Sequence, residues 1–391
     1  MRNRRHTQGQ IAVRLASAYW IVSSILLTTV DAEQKPDPPH RYLIETVAGS
    51  GERGSSPDGT AAKDARFDRQ ILQIALADDG TLYVAEPTGV RVVRDGVLDS
   101  LPAPGLPLMN VNGIALDGDL LYVAGTTHPF PPGVPVLLRY DLQTGDTVDL
   151  FQDTCPPDKW PGACPRTPRI LAVVDHSVVF TTGGQKRVYA IDPDGSVFHF
   201  AIADRDLPGF GDNDFNESGA AQGAVVGALT QIAARPGRDT LLMADSQYCR
   251  IRLVDSTGII RTIAGSAGPL GDDESCRFSG DGGSALAAGL DGGQVSAAFG
   301  SENDTMIAER YRIRRVDSRG RIETIAGIGD ASATCRSELD CCTNEPTPAL
   351  EAHLVGPILG SVDAEGSVYF IDDTCLGPRV RRLRPVGGGP E

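Results

Sequence analysis

Short apolar runs separated by Asp- and Gly-rich turns recur from residue 42 to residue 385, and their order repeats. ILQIALADDGTLYVAEPTGVRVVRDG (71–96) reads as three strands, each too short for a helix and bounded by tight turns. The same pattern returns in LTQIAARPGRDTLLMADSQYCRIRLVDSTG (229–258), in the stretch ending DTMIAERYRIRRVDSRG (304–320), and in PILGSVDAEGSVYFIDDTCLGPRVRRLRP (357–385). A fourth strand is supplied by T-[IV]-A-G runs in IETVAGSGERGSSPDGTAAKDARF (44–67), IRTIAGSAGPLGDDESCRFSGDGGSALAAGL (260–290) and IETIAGIGD (322–330). Two weaker copies occupy 111–151 and 169–202.

Six copies of a four-stranded unit, none able to bury both sheet faces alone, predict radial packing: an all-β, six-bladed β-propeller of antiparallel blades. Strands within a blade are named a to d from the channel outward. The outermost strands are expected near 97–101, 147–151, 196–202, 259–264 and 321–326. The last copy ends one strand short, and a surplus strand sits at the start of the repeats. Pairing that N-terminal strand with the last blade would close the ring and remove a free sheet edge.

Composition fits this picture. The 45 Gly and 27 Pro follow no Gly-X-Y period, so they mark dense turns. A net charge of −15 argues against nucleic-acid partners, which need cationic side chains to displace phosphate counterions. Residues 1–32 carry Arg2, Arg4, Arg5 and Arg14 ahead of an uncharged stretch and a small-residue cut site at Ala32, the pattern of a signal peptide. The expected organisation is a signal peptide at 1–32, a Pro-rich linker at 33–41, the propeller at 42–385 and a flexible tail at 386–391. Secretion, or a periplasmic or cell-surface location, follows. Membrane attachment enters only if the leader stays uncleaved. A monomer is expected.

The series G-x(2)-G…DG-x-A, GxAxDxxGxLYVAD, RIRxVD and TIAG resembles the NHL-repeat propellers of bacterial and teneurin type, over roughly 42–384. The resemblance is strong in copies one, four, five and six. Copies two and three lack the DG-containing loop and the acid that ends strand b. Family membership implies the fold more than an activity, since NHL propellers include adhesion modules, scaffolds and a few enzymes such as amide lyases.

In this topology the b-to-c and d-to-a loops share one face. The d-to-a loops near 49–70, 203–228, 265–293 and 328–356 are long, and long loops in compact domains usually carry function. The cysteines fall on this face as well. Topology nominates Cys155 with Cys164 and Cys249 with Cys276, and leaves the pairing among Cys335, Cys341, Cys342 and Cys375 open.

Candidate ligand-binding residues are Gln73, Asn112, Thr230, Gln231 and Gln294 near the channel, His128 and His353 in loops, and the acids Asp212, Asp214, Asp272, Asp273 and Glu274. Backbone hydrogen bonding is the plainer role for the amides. Asp212-x-Asp214-x-Asn216 has the spacing of a calcium loop, but Glu217 stands where an EF-hand has Gly. Calcium is the one cofactor the sequence nominates. Glu86, Asp245, Glu309 and Asp372 end strand b in the strong copies beside Arg91, Arg250, Arg312 and Arg379, which reads as structural pairing between blades. Asp58-Gly59 and Ser279–Gly283 read as carboxylates capping tight turns. No G-x-S-x-G, HExxH or phosphate loop is present. The leading expectation is a binding module for a protein, small molecule or glycan, acting through its acidic loop face. The alternative is a metal-dependent channel enzyme of lactonase or amide-lyase type.

Overall fold

The computed structural model describes residues 41–101, 108–127, 134–151, 167–182, 185–192, 195–202, 219–221, 224, 226–235, 238–266, 276–291, 293–329, 345–373 and 377–386. Within them six antiparallel sheets form a ring, because the a strands of consecutive blades contact one another all the way round. Blade 1 comprises Gln73–Leu76, Leu82–Glu86, Gly89–Arg94 and Val97–Ser100. Blade 2 comprises Leu108–Asp117, Leu120–Thr127, Pro135–Asp141 and Thr147–Asp149. In blade 3 the strands are Pro168–Val174, Ser177–Thr182, Gln185–Ile191 and Val197–Ile202, and in blade 4 Leu229–Arg235, Arg238–Asp245, Arg250–Val254 and Ile259–Ala264. Blade 5 runs through Ser296–Phe299, Thr305–Glu309, Arg312–Val316 and Ile322–Ala326.

Blade 6 takes Ile358–Val362, Val368–Asp372 and Arg379–Val386 from the C-terminal end and Arg41–Ala48 from the N-terminal end. Leu43 lies opposite Arg384 and Glu45 opposite Arg382 in the closing pair, with a bulge between Thr46 and Ala48. The ring is therefore sealed by hydrogen bonds between chain ends.

Each hydrophobic cluster spans two neighbouring blades. Ile74, Leu82 and Val84 of blade 1 pack with Ile371 and Val380 of blade 6, and Leu242 and Ile251 of blade 4 pack with Ala297 and Ile307 of blade 5. Each fully buried aliphatic side chain contributes about 1.5–3 kcal/mol, so blade-to-blade packing dominates the stability. The turns on the narrow-loop face are fixed by their own carboxylates. Asp255 Oδ1 accepts the N–H groups of Thr257 and Ile259 at 3.0 and 3.1 Å, and Asp317 Oδ1 does the same for Arg319 and Arg321.

The long d-to-a loops are partly structural. Before blade 1, Thr60–Ala61 pairs with Leu98 and Val97, adding a short fifth strand outside strand d. Gly219–Ala220 does this in blade 4 and Thr347–Pro348 in blade 6, while Ser284 makes a single bridge to Arg321 in blade 5. The outer sheet edge is thus covered in four blades. Beyond each cover strand, small residues such as Ala62, Ala285 and Ala349 wedge between blades. The glycine ending strand d fits against the b-to-c turn of its own blade: Gly265 has φ +97°, and a Cβ there would lie 2.3 Å from the Cys249 carbonyl oxygen.

Candidate functional site

The a strands present bare sheet edges to the channel, so their N–H and C=O groups need partners. Two glutamines at equivalent positions supply them. In blade 1, Gln73 Oε1 accepts the N–H of Ile114 in blade 2 at 3.2 Å, and its Nε2 donates to the carbonyl of Leu171 in blade 3 at 2.8 Å. In blade 4, Gln231 Oε1 accepts the N–H of Ala297 in blade 5 at 2.8 Å, and its Nε2 donates to the carbonyl of Leu359 in blade 6. Ile114, Leu171, Ala297 and Leu359 occupy one position of the repeat, lying opposite Val123, Phe180, Ile307 and Phe370 of strand b. Gly113 makes room for the first lock, since a Cβ there would sit 2.8 Å from Gln73 Oε1 and 1.9 Å from the Arg169 carbonyl oxygen.

Thr230 and two nearby serines are also engaged with backbone. The Thr230 hydroxyl donates to the Val295 carbonyl of blade 5, and Ser296 Oγ accepts the Leu359 N–H at 3.0 Å. Ser361 Oγ accepts the Leu76 N–H at 3.1 Å, joining blade 6 to blade 1. Asn112 lies half-exposed at a bulge in its strand, and Gln294 is exposed beside Gly356. The plainer role is therefore the one observed for Gln73, Gln231 and Thr230.

The repeated acids and arginines form a clamp, whose partners in blade 1 are the expected Glu86 and Arg91 and in blades 5 and 6 differ from the expected ones. Glu309 is fully buried, accepts the Asp291 N–H at 3.3 Å and meets Arg314 Nη1 at 3.1 Å. Arg314 in turn places Nε on Asp281 Oδ1 at 2.9 Å, and Asp281 Oδ2 accepts the Thr324 hydroxyl at 2.6 Å. Blade 1 repeats this with Glu86, Arg91 and Asp58, where Ser100 donates to Asp58 at 2.7 Å. In blade 6, Arg381 meets Asp372 at 2.7 Å and Glu345 at 2.8 Å. The clamp arginine is therefore Arg314 or Arg381, two residues past the expected Arg312 or Arg379. Arg312 instead stacks on Phe278, 3.3 Å from the ring centroid. The contacts run within one blade, from strand b through strand c to the loop ahead of it, rather than between blades. Likewise Asp58 and Asp281 staple that loop to strands c and d and do more than cap a turn.

Burial leaves its mark on these acids. It raises the carboxyls of Glu86 and Glu309, each only partly offset by hydrogen bonds and the facing arginine. Asp245 is pushed up to about 6 by burial, against the N–H donors of Gly227 and Tyr248 and the charge of Arg252.

Cys249 and Cys276 are joined by a disulfide with a Cα–Cα distance of 5.4 Å, linking the b-to-c turn of blade 4 to the loop that enters blade 5. His353 lies half-buried in the loop before blade 6, and its carbonyl accepts Arg381 at 3.5 Å. His128, Asp212, Asp214, Asp272, Asp273, Glu274, Cys155, Cys164, Cys335, Cys341, Cys342 and Cys375 lie outside the described residues. Among the described residues no three His, Cys, Asp or Glu side chains gather as a metal site, and no helix is long and apolar enough to cross a membrane.

No family model and no curated protein matches the chain. Solved structures do resemble it. An auxiliary nutrient binding protein from Bacteroides ovatus ATCC 8483 has a TM-score of 0.57 at 16% identity, covering 89% of this chain and 78% of its own. Another auxiliary nutrient binding protein, from Bacteroides thetaiotaomicron VPI-5482, gives 0.57 at 13%, covering 88% and 77%. A protein of unknown function from the same organism gives 0.57 at 14%, covering 88% and 76%. The likeness establishes the shared six-bladed propeller fold.

Proposed function

We propose that this chain is an exported, disulfide-stapled propeller of NHL-repeat type that binds a ligand or protein partner on its acidic loop face and carries out no chemistry of its own. One observation carries the reading. Two of the four channel amides that sequence offers for ligand contact, Gln73 and Gln231, are spent on backbone groups of the two following blades. The unassigned polar chemistry then lies in the long loops, where Asp212, Asp214, Asp272, Asp273 and Glu274 are concentrated. That two propellers of like fold are named auxiliary nutrient binding proteins agrees with a binding role.

The test uses an immobilised oligolysine peptide as probe. Association with the wild-type protein is expected to slow steeply with salt, as the Debye length falls below about 8–10 Å. Replacing the five acids by their amides should weaken binding and leave the melting temperature nearly unchanged, because exposed charges add little stability. Binding indifferent to both salt and the five substitutions overturns the acidic-face reading. Loss of a turnover activity on single changes at Gln231 or His353 would point to channel chemistry instead.

A further inference from the structure

Strand c opens with an arginine opposite the strand-b acid in three blades: Arg250 in blade 4, Arg312 in blade 5 and Arg379 in blade 6. Arg250 and Arg379 are buried, at 2% and 3% exposure. Arg312 is instead turned outward and partly exposed, with its Cζ 3.3 Å from the centroid of the Phe278 ring. It is held there from several sides. Its Nη2 donates to the Gly329 carbonyl at 3.0 Å, and a Cβ on Gly329, at φ +69°, would collide with that nitrogen. Phe278 is fixed in turn, because the Cys249–Cys276 disulfide anchors the chain two residues before it and Arg314 Nη2 holds the Ser279 carbonyl just after it at 2.9 Å. A guanidinium stacked on a ring and held by one nitrogen keeps the rest of its fork set for a carboxylate.

Two more arginines flank it. Arg277 and Arg310 are exposed, and Arg310 Cζ lies 5.8 Å from the ring centroid of the partly exposed Tyr311. The neighbouring acids are taken, since Glu309 and Asp281 both pair with Arg314, at 3.1 and 2.6 Å. Among the described residues no carboxylate forms an ion pair with Arg277, Arg310 or Arg312. Burial lowers the pKa of Arg312, yet a guanidinium starts so far above neutrality that it stays charged. The same hairpin tip carries Pro87-Thr88 in blade 1, Ser246-Gln247 in blade 4 and Asp373 in blade 6, so blade 5 departs from its clamped neighbours. On a chain of net charge −15 the remaining surface repels a long polyanion, which favours a short ligand. Aromatic surface beside the cations, Phe278 at 37% exposure and Tyr311, favours a sugar, whose C–H faces pack on rings while its carboxylates meet the guanidinium groups.

We propose that Arg277, Arg310 and Arg312, with Phe278 and Tyr311, form a binding site for a short acidic sugar, a uronic-acid oligosaccharide, at the loop end of blade 5. The site is opposite in sign to the oligolysine-binding surface and does not depend on it. The experiment titrates the full chain with trigalacturonate by isothermal calorimetry, beside neutral galactotriose and a triglutamate peptide. Trigalacturonate should bind, the neutral sugar should not, and the peptide should bind about tenfold more weakly. Arg310→Gln with Arg312→Gln should weaken trigalacturonate binding about tenfold or more, as expected for lost hydrogen bonds to a charged group. Arg312→Lys, which keeps the charge and loses the fork, should weaken it several-fold, and Tyr311→Ala likewise. Arg319→Gln, on the opposite face, should change nothing, and oligolysine binding should survive in every variant. No saturable binding of trigalacturonate, or an equal loss in Arg319→Gln, overturns the site. Triglutamate binding as tight as trigalacturonate and indifferent to Tyr311→Ala would mark an acidic-peptide site and overturn the sugar assignment. If the Arg310→Gln, Arg312→Gln variant does not fold, Arg277→Gln with Arg310→Gln, both exposed positions, decides in its place.

Discussion

Blades 1, 4, 5 and 6 and blades 2 and 3 hold the same four-stranded shape by different chemistry. Where the first group ends strand b with Glu86, Asp245, Glu309 or Asp372, blades 2 and 3 have Gly125 and Thr182. At the clamp-arginine position of strand c, opposite Val123 and Phe180, they have Leu138 and Tyr189. Tyr189 stacks on Phe180 with ring centroids 5.5 Å apart, and Phe151 leans on the same ring at 5.7 Å. Charge and apolar surface are thus interchangeable at one place in the repeat, provided both members of the pair change together. A charged clamp ties down the preceding loop through Asp58 or Asp281, and the aromatic stack of blade 3 does so through Phe151.

The sharpest way to break this comparison is Arg314→Leu. It leaves Glu309 buried without its cation and should cost about 3–5 kcal/mol, read from the urea midpoint. Adding Glu309→Thr to that variant, which combines the strand-c leucine of blade 2 with the strand-b threonine of blade 3, should recover more than half of the loss. An Arg314→Leu effect no larger than that of Tyr189→Leu would show that the clamp is not the main support of its blade.

The disulfide is the next test, because it adds a covalent staple to an already clamped blade. Replacing Cys249 and Cys276 with Ala opens a closure spanning 27 residues and should lower stability by about 3 kcal/mol. A change within error would mean that the Asp245 region alone fixes the loop.

The smallest expected effect is a pH dependence confined to the charged blades. The folded pKa of Asp245 is raised to about 6, above an unfolded value of about 3.9, so the native state holds this proton more tightly. Its stabilising contribution is present below about pH 4 and is lost as pH rises through about 6. The melting temperature of Asp245→Asn minus that of wild type should therefore grow from pH 4.5 to 7. Parallel curves would remove Asp245 as a titrating group in this range.

The ring, its closure by Arg41–Ala48 and the Cys249–Cys276 pair were legible because period, strand count and loop placement are sequence properties. The clamp partner was legible in blade 1, as Arg91, but not in blades 5 and 6. In R-I-R both arginines lie on one face of the strand, and the register places the acid opposite the first. The carboxylate nevertheless reaches diagonally to the second, because the first is drawn outward, onto Phe278 in blade 5. Gln73 and Gln231 were legible as singular polar residues near the channel. Their acceptors were not, being backbone groups far away in sequence that only ring closure brings near.

Those two amides also bear on how the ring can change. Each lock serves its own blade and the next two, so the six blades count as three plus three. A ring held by six equal contacts can gain or lose one blade and stay sound. In this molecule, losing a single blade would leave one glutamine facing the wrong neighbour, with its amide and two backbone groups stranded in the channel. Circular permutation between blades 3 and 4 keeps both triplets whole, whereas a new terminus between blades 1 and 2 cuts through a lock.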